Sequence, residues 1–254
     1  MSIRELIYNN QVLNQISVIE CEIRVPQFID AIRKSSIYNN NRITSIGDYA
    51  FYGCTSLTSV SFPTATTIGN YAFSYCTSLT SIKFPKVVTI GDGAFYSCKS
   101  LTSVSFPEVT SIGNNAFTYC SSLTSIKFPK VVTISDYAFY NCKSLTSVSF
   151  PEVTSIGNNA FYGCTSLTSV NFSEFTSIGN SAFEKCRTLS SLTLGASTVC
   201  TLYNSNAFKS TPYVGYSSYF SGTPYIYVPS SLVTSYEAAT NWTYFSSYIK
   251  AIGT

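Results

Sequence analysis

Histidine is absent from all 254 residues. With it go the usual general base near neutral pH, the Ser-His and Cys-His nucleophile pairs and the imidazole metal ligands. Charge is scarce as well: 15 basic and 12 acidic side chains make up 11% of the chain and leave a net +3. No basic run occurs, so bulk electrostatics does not point to nucleic acid or an anionic membrane as a partner. No stretch approaches the ~18 consecutive apolar residues of a membrane span. The first residues, MSIRELIYNNQVLNQ, carry acidic and amide side chains where a secretory signal has an uninterrupted apolar stretch. A glycine-rich phosphate loop, paired catalytic carboxylates and a nucleophile elbow are all missing. These absences point away from an enzyme, a cofactor and a metal site.

What fills the chain is repetition. FPEVTSIGNNAF stands at 106–117 and again at 150–161, with the near-copy FPKVVTISDYAF midway at 128–139. Cys54, Cys76, Cys98, Cys120, Cys142, Cys164 and Cys186 recur every 22 residues. A leucine column from Leu57 to Leu189, an isoleucine column from Ile46 to Ile178 and an Ala-Phe pair from 50–51 to 182–183 keep the same step. A fixed period of this length is the mark of a stacked repeat.

Each position has a local reading. In SVSFP the apolar residues alternate with serine, which predicts a strand with one buried face. The following proline, at Pro63, Pro85, Pro107, Pro129 and Pro151, has no N–H and ends the ladder there. The glycine of each Ile-Gly pair is expected at positive φ. The next Asn or Asp (Asn70, Asp92, Asn114, Asp136, Asn158, Asn180) is expected to cap a short helical or 3-10 turn that carries Ala-Phe. One such unit cannot cover its own apolar side chains, so the units must stack in parallel and make each column a continuous buried ladder.

The pattern L-x-x-[IV]-x-F-P-x-V-x-x-I-G-x-x-A-F-x-x-C resembles the BspA-type, or Treponema pallidum-type, leucine-rich repeat across residues 43–194. The resemblance implies an α/β solenoid: a right-handed stack of about seven 22-residue coils, with a parallel sheet on one face and short helical or 3-10 turns on the other. Valine at 87, 109, 131 and 153 stands where the usual leucine-rich asparagine ladder would be. The last coil departs further, with Ser173 for proline and Phe175 for valine, and is expected to loosen. Residues 1–42 match poorly and are expected to form an N-terminal cap, helical at Ile29–Lys34. Residues 195–254 resemble the C-terminal cap of bacterial members, with a Tyr-Val-Pro strand and a helix around Trp242.

The regular cysteines form no metal-ligand spacing and have no histidine partners. They are expected to be buried, reduced thiols, a structural ladder rather than disulfides; Cys21 and Cys200 lie off the pattern. A 44-residue step overlies the 22-residue one. Lys86, Glu108, Lys130 and Glu152 alternate in sign along one ridge, and Lys83 and Lys127 alternate with Ser105 and Ser149 on the exposed face of the sheet. Duplication of a two-coil block that avoids stacking like charges accounts for this; a partner-binding stripe on a concave sheet is the functional alternative. Tyrosines in the loop TPYVGYSSYFSGTPY, namely Tyr213, Tyr216, Tyr219 and Tyr225, are the other candidate surface. The sequons at Asn171 and Asn241 are read as chance triplets.

The function expected is a non-enzymatic binding or adhesion module that presents the sheet or the tyrosine loop to a protein or glycan. The resemblance implies a cell-surface or extracellular location, with virion-associated or cytoplasmic placement as the alternative. A structural spacer, or a virion or tail-associated repeat protein with recognition in its caps, is the rival. The chain is expected to be a monomer or a weak homodimer, without nucleic-acid partners or membrane insertion.

Overall fold

The computed structural model describes residues 37–39, 43–214 and 223–253. The helix expected at 29–34 and Cys21 lie outside the described residues. Within them the chain winds as a stack of parallel coils. Three-residue strands recur once per coil, at Ser59–Ser61, Ser81–Lys83, Ser103–Ser105, Ser125–Lys127 and Ser147–Ser149. Each pairs in parallel with its counterpart 22 residues away, as in Ser81↔Ser103, Ile82↔Val104 and Lys83↔Ser105. Strand pairing in this main ladder falls into three sections: Ile37–Asn39 to Ser103–Ser105, Ser125–Lys127 with Ser147–Ser149, and Ser169–Phe172 past residue 194 through Tyr225–Val228 to Ile249–Ala251. A second ladder of two-residue strands, Thr67–Ile68 and its equivalents, runs beside it.

Proline acts as expected. Coils with Pro after the strand stop at three residues, and where Ser173 takes its place the strand extends to Ser169–Phe172. That coil does not loosen. Phe175 is fully buried and stacks on Phe172 at 4.3 Å.

The face opposite the main sheet consists of i+3→i turns, such as Ala50 N–H to the Gly47 carbonyl, with 3-10-like bonding and no continuous helix. Two residues per coil sit in the left-handed region and prevent helix propagation. One column is Tyr49, Tyr71, Gly93, Asn115, Tyr137, Asn159 and Ser181; the other includes Tyr75, Ser97, Tyr119, Asn141, Gly163 and Lys185. This alternation sends amides along the stack: Tyr49, Phe51 and Gly53 donate to the carbonyls of Asn70, Ala72 and Ser74 in the next coil. The turns are thus a third hydrogen-bonded ladder.

The Ile-Gly glycines have a different role from the one expected of them. Gly69, Gly91, Gly113, Gly157 and Gly179 do not have positive φ; a Cβ on any of them would strike the previous coil. At Gly113 it would lie 2.5 Å from both the Asp92 amide nitrogen and its Oδ1. Close approach of two backbones, not turn conformation, demands glycine here. The next residue does not cap a helix either. Asp48, Asn70, Asp92, Asp136 and Asn158 each accept, through Oδ1, the N–H of the equivalent residue one coil on, at 2.6–2.9 Å. Ser135 replaces glycine in one coil, and its hydroxyl donates to the Ile112 carbonyl at 2.6 Å; in neighbouring coils the glycine amide reaches the equivalent isoleucine carbonyl, as Gly113 N–H does to Ile90.

The core is a set of columns. Phe51, Phe73, Phe95, Phe117, Phe139, Phe161, Phe183 and Phe208 stack face to face, neighbours 4.9–5.7 Å apart and within 16° of parallel. Burial of each ring stabilises by roughly 1.5–3 kcal/mol. The terminal segment closes this stack. Val233–Ala238 is an α-helix, Thr243–Tyr248 a 3-10 helix, and Trp242 lies buried between them. Trp242 Nε1 donates to the Cys200 carbonyl at 2.7 Å, while the Cys200 amide donates to the Tyr236 hydroxyl at 2.9 Å.

Candidate recognition surfaces

Lys83, Ser105, Lys127 and Ser149 are all exposed on the main sheet, where the register sets Lys83 beside Ser105 and Lys127 beside Ser149. The threonines along this face are already committed. Thr80, Thr102, Thr124 and Thr146 donate from Oγ1 to the threonine carbonyl one coil back, at 3.0–3.3 Å. On the neighbouring ridge Lys130 forms an ion pair with Glu108, and both side chains are about half exposed. An exposed pair of this kind contributes little. The sheet face is small, polar and largely self-satisfied.

The tyrosine-loop residues separate. Tyr213 is a correction: it is buried, its hydroxyl donates to the Tyr225 carbonyl at 3.0 Å, and burial pushes its phenol well up. It is core of the closing segment because its ring meets Phe208 and Tyr248 edge-on. Tyr225 is half-buried in its strand, with Lys250 over its ring. Tyr216 and Tyr219 lie outside the described residues. The sequon at Asn241 is closed off, since Nδ2 donates to the Leu202 carbonyl at 2.7 Å.

The cysteine column is buried throughout, and its members are free thiols with no disulfide between them. The thiols do more than fill space. Cys76, Cys98, Cys120, Cys142, Cys164 and Cys186 each donate to the phenylalanine carbonyl 25 residues earlier, at 3.0–3.2 Å. Burial pushes Cys98, Cys120, Cys142, Cys164 and Cys186 far above the ordinary thiol range, the reverse of what a nucleophile needs. Among the described residues no group of His, Cys, Asp and Glu is arranged to hold a metal ion, and no helix is long and apolar enough to cross a membrane.

The surface that sequence reasoning missed is on the turn face. Tyr52, Tyr75, Tyr96, Tyr119, Tyr140 and Tyr162 form an unbroken ribbon with neighbouring centroids 4.7–5.6 Å apart. The signal was present in YAFYGC, YAFSYC, GAFYSC, NAFTYC, YAFYNC and NAFYGC. Tyrosine occupies either of the two positions between phenylalanine and cysteine, so no single column reveals it. This choice sets ring geometry. Tyr140 and Tyr162, in the same column, stack at 9°, whereas the alternating pairs from Tyr52 to Tyr140 cross at 57–86°. Burial, then the neighbouring tyrosines, raises the phenols of Tyr96 and Tyr140. The ribbon ends at Lys185, which donates to the Tyr162 hydroxyl and lies 4.6 Å from the ring centroid. That hydrogen bond is the chief cause of the upward shift of the Lys185 ammonium.

At the opposite end the ribbon widens. Tyr49 and Tyr71, on the left-handed residues after Asp48 and Asn70, stack at 5.3 Å, and Tyr49 also meets Tyr52. An open depression of about 410 Å³ lies here, lined by these tyrosines with Tyr75, Tyr96, Ser74 and Asn115.

Comparison with known proteins places this geometry. The family model described as a BspA type leucine rich repeat region, in six copies, matches residues 21–133 and 110–226. No curated protein matches the chain. Similar solved structures include a leucine-rich repeat protein from Bacteroides ovatus, with 25% identity, a TM-score of 0.46, and 85% of this chain and 66% of that one covered. The chain therefore spans just under two thirds of that protein. The T. pallidum leucine-rich repeat protein shares 30% identity over 49% of this chain and 72% of its own, with a TM-score of 0.40. A leucine rich cell surface protein from Faecalibacterium prausnitzii shares 24% identity over 86% of this chain and 79% of its own, with a TM-score of 0.39. Since the family model covers most of its length and the stacked parallel coils agree, the chain belongs to the BspA-type leucine-rich repeat family.

Proposed function

We propose that this chain is a non-enzymatic recognition module, which presents one face of a solenoid to another macromolecule at a cell surface. The observation that carries the reading is the tyrosine ribbon on the turn face. Tyr49, Tyr52, Tyr75, Tyr119 and Tyr137 are each more than a third exposed, an unusual concentration of large rings held in water. Tyrosine offers much contact area for little loss of side-chain freedom, which suits it to binding. The ribbon is also uneven along the stack, broadest at Tyr49–Tyr71 and closed by Lys185 at the other end. A surface needed only for length has no reason to vary in this way. The cell-surface placement draws on the family and on the F. prausnitzii protein's description as a cell surface protein.

The test is binding of the chain to a panel of extracellular-matrix proteins and glycans, with ribbon and sheet-face variants side by side. Loss on changing Tyr52 and Tyr75, with Lys83 and Lys127 changes silent, supports the ribbon as the binding face. The near-verbatim repeats favour a second reading, a spacer that sets length. Absence of binding to every member of the panel, together with regular end-to-end assembly, would establish that reading instead.

A further inference from the structure

We propose that the depression at the broad end of the ribbon is a binding site for a neutral, extended saccharide. This rests on the recognition reading above and names the ligand class of the same face.

The lining is specific in chemistry. Five tyrosines, Ser74 and Asn115 surround the space, and no charged side chain is among them. Rings offer apolar faces for the C–H surface of a sugar, while phenol, hydroxyl and amide groups match its hydroxyls. Tyr49 and Tyr71 stack on each other, but along Tyr52, Tyr75 and Tyr96 ring faces are available because the contacts are crossed. A face-to-face pair hides two ring faces from a ligand, but an edge-to-face pair hides only one. Tyr52 and Tyr75 cross at 69°, and both are about 40% exposed. From Tyr75 in the depression to Tyr140 beyond it the rungs follow at 5.5–5.6 Å, comparable to the length of one pyranose unit in an extended glycan, so that successive units meet successive rings.

Other ligands fit worse. An extended peptide that adds to a sheet needs unpaired backbone donors and acceptors. On this face the amides of Tyr49, Phe51, Gly53, Tyr71, Phe73 and Tyr75 are all spent on the next coil. A nucleic acid or an acidic polymer needs cations, and none among the described residues lines the depression.

The experiment titrates the full chain with neutral linear hexasaccharides of gluco, manno and xylo configuration, an anionic hexauronate and a proline-rich peptide. Calorimetry gives the affinity, and saturation-transfer NMR reports which sugar protons touch the protein. Tyr52→Thr and Tyr75→Asn borrow residues already found in their columns, at Thr118 and Asn141, so the fold tolerates them. At least one neutral hexasaccharide is expected to bind, and each variant to weaken it by about tenfold or more. Tyr75→Phe, which keeps the ring, should retain affinity within a factor of about three, and Lys83→Ser should change nothing. Absence of neutral saccharide binding, tighter binding of the hexauronate or peptide, or indifference to both tyrosine changes overturns the proposal. If the same tyrosine variants still abolish binding to a matrix protein, only the saccharide assignment falls; if they alter no binding at all, the recognition reading falls with it.

Discussion

Raising the pH above about 9 is expected to unfold this stack cooperatively, and the cysteine column sets the scale. Burial holds the thiols of Cys98, Cys120, Cys142, Cys164, Cys186 and Cys200 above their ordinary value near 9. Cys76 is raised as well, first by its hydrogen bond with Cys54 and then by burial. An acid that grips its proton more tightly when folded stabilises the fold below its unfolded value. That contribution is lost as pH climbs past the unfolded value toward the folded one. One unit above the unfolded value, each such thiol favours the unfolded chain by about 1.4 kcal/mol. Seven together amount to something of order 10 kcal/mol, comparable to the whole stability of an ordinary domain. The assay follows far-UV circular dichroism and ultraviolet thiolate absorbance together during an alkaline titration. Both should change in one transition, between about pH 9 and 10, with no thiolate signal before the fold is lost. Thiolate absorbance that rises gradually while the dichroism stays native would show that the thiols are accessible. That result refutes the argument.

Gly113→Ala drives a Cβ into the Asp92 backbone and strains the Asn114 N–H bond to Asp92; a loss of about 2–5 kcal/mol by urea denaturation is expected. Gly113→Ser should cost less than Gly113→Ala, because a hydroxyl can take the bond that Ser135 makes. Trp242→Phe leaves the Cys200 carbonyl without its donor and a void beside Phe208, and should lower stability by about 2–4 kcal/mol in the same measurement. Glu108→Gln removes an ion pair between half-exposed side chains and should shift stability by less than about 1 kcal/mol, a shift that shrinks further as salt is added.

The parts legible in the sequence were those where one residue type answers one demand. Phe51 and its successors are buried because a ring that stacks on its copy wants the same ring above and below, and such a column is visible at a glance. Proline after each strand was equally direct, and Ser173 supplies the control. The Ile-Gly glycine was seen but misassigned, because either positive φ or close backbone approach demands glycine, and a sequence cannot distinguish them. Tyr49 and Tyr75 show the converse. They occupy left-handed positions without being glycine, held there by the amides bonded to the next coil. The Asp/Asn column looked like helix capping because that is its commonest local use, whereas here its partner lies 22 residues away. Tyr213 looked like a loop residue, but its ring covers the end of the stack. The ribbon escaped notice because it is a property of space: two sequence columns merge into one surface only after the coils are laid on each other.

The acid–amide ladder has a consequence for how such a chain can change its length. Asp48, Asn70, Asp92, Asn114, Asp136 and Asn158 alternate along the stack, as do lysine and glutamate at 86, 108, 130 and 152. Removal of one coil between residues 92 and 136 would set Asp92 against Asp136 and Lys86 against Lys130, so that carboxylate faces carboxylate where an amide now intervenes. Removal of two coils restores every partner. Slippage or recombination between the verbatim copies at 106–117 and 150–161 shifts by two coils, and is electrostatically silent. Between these copies a two-coil step is thus the electrostatically neutral change of length, roughly 10 Å at the spacing of parallel strands.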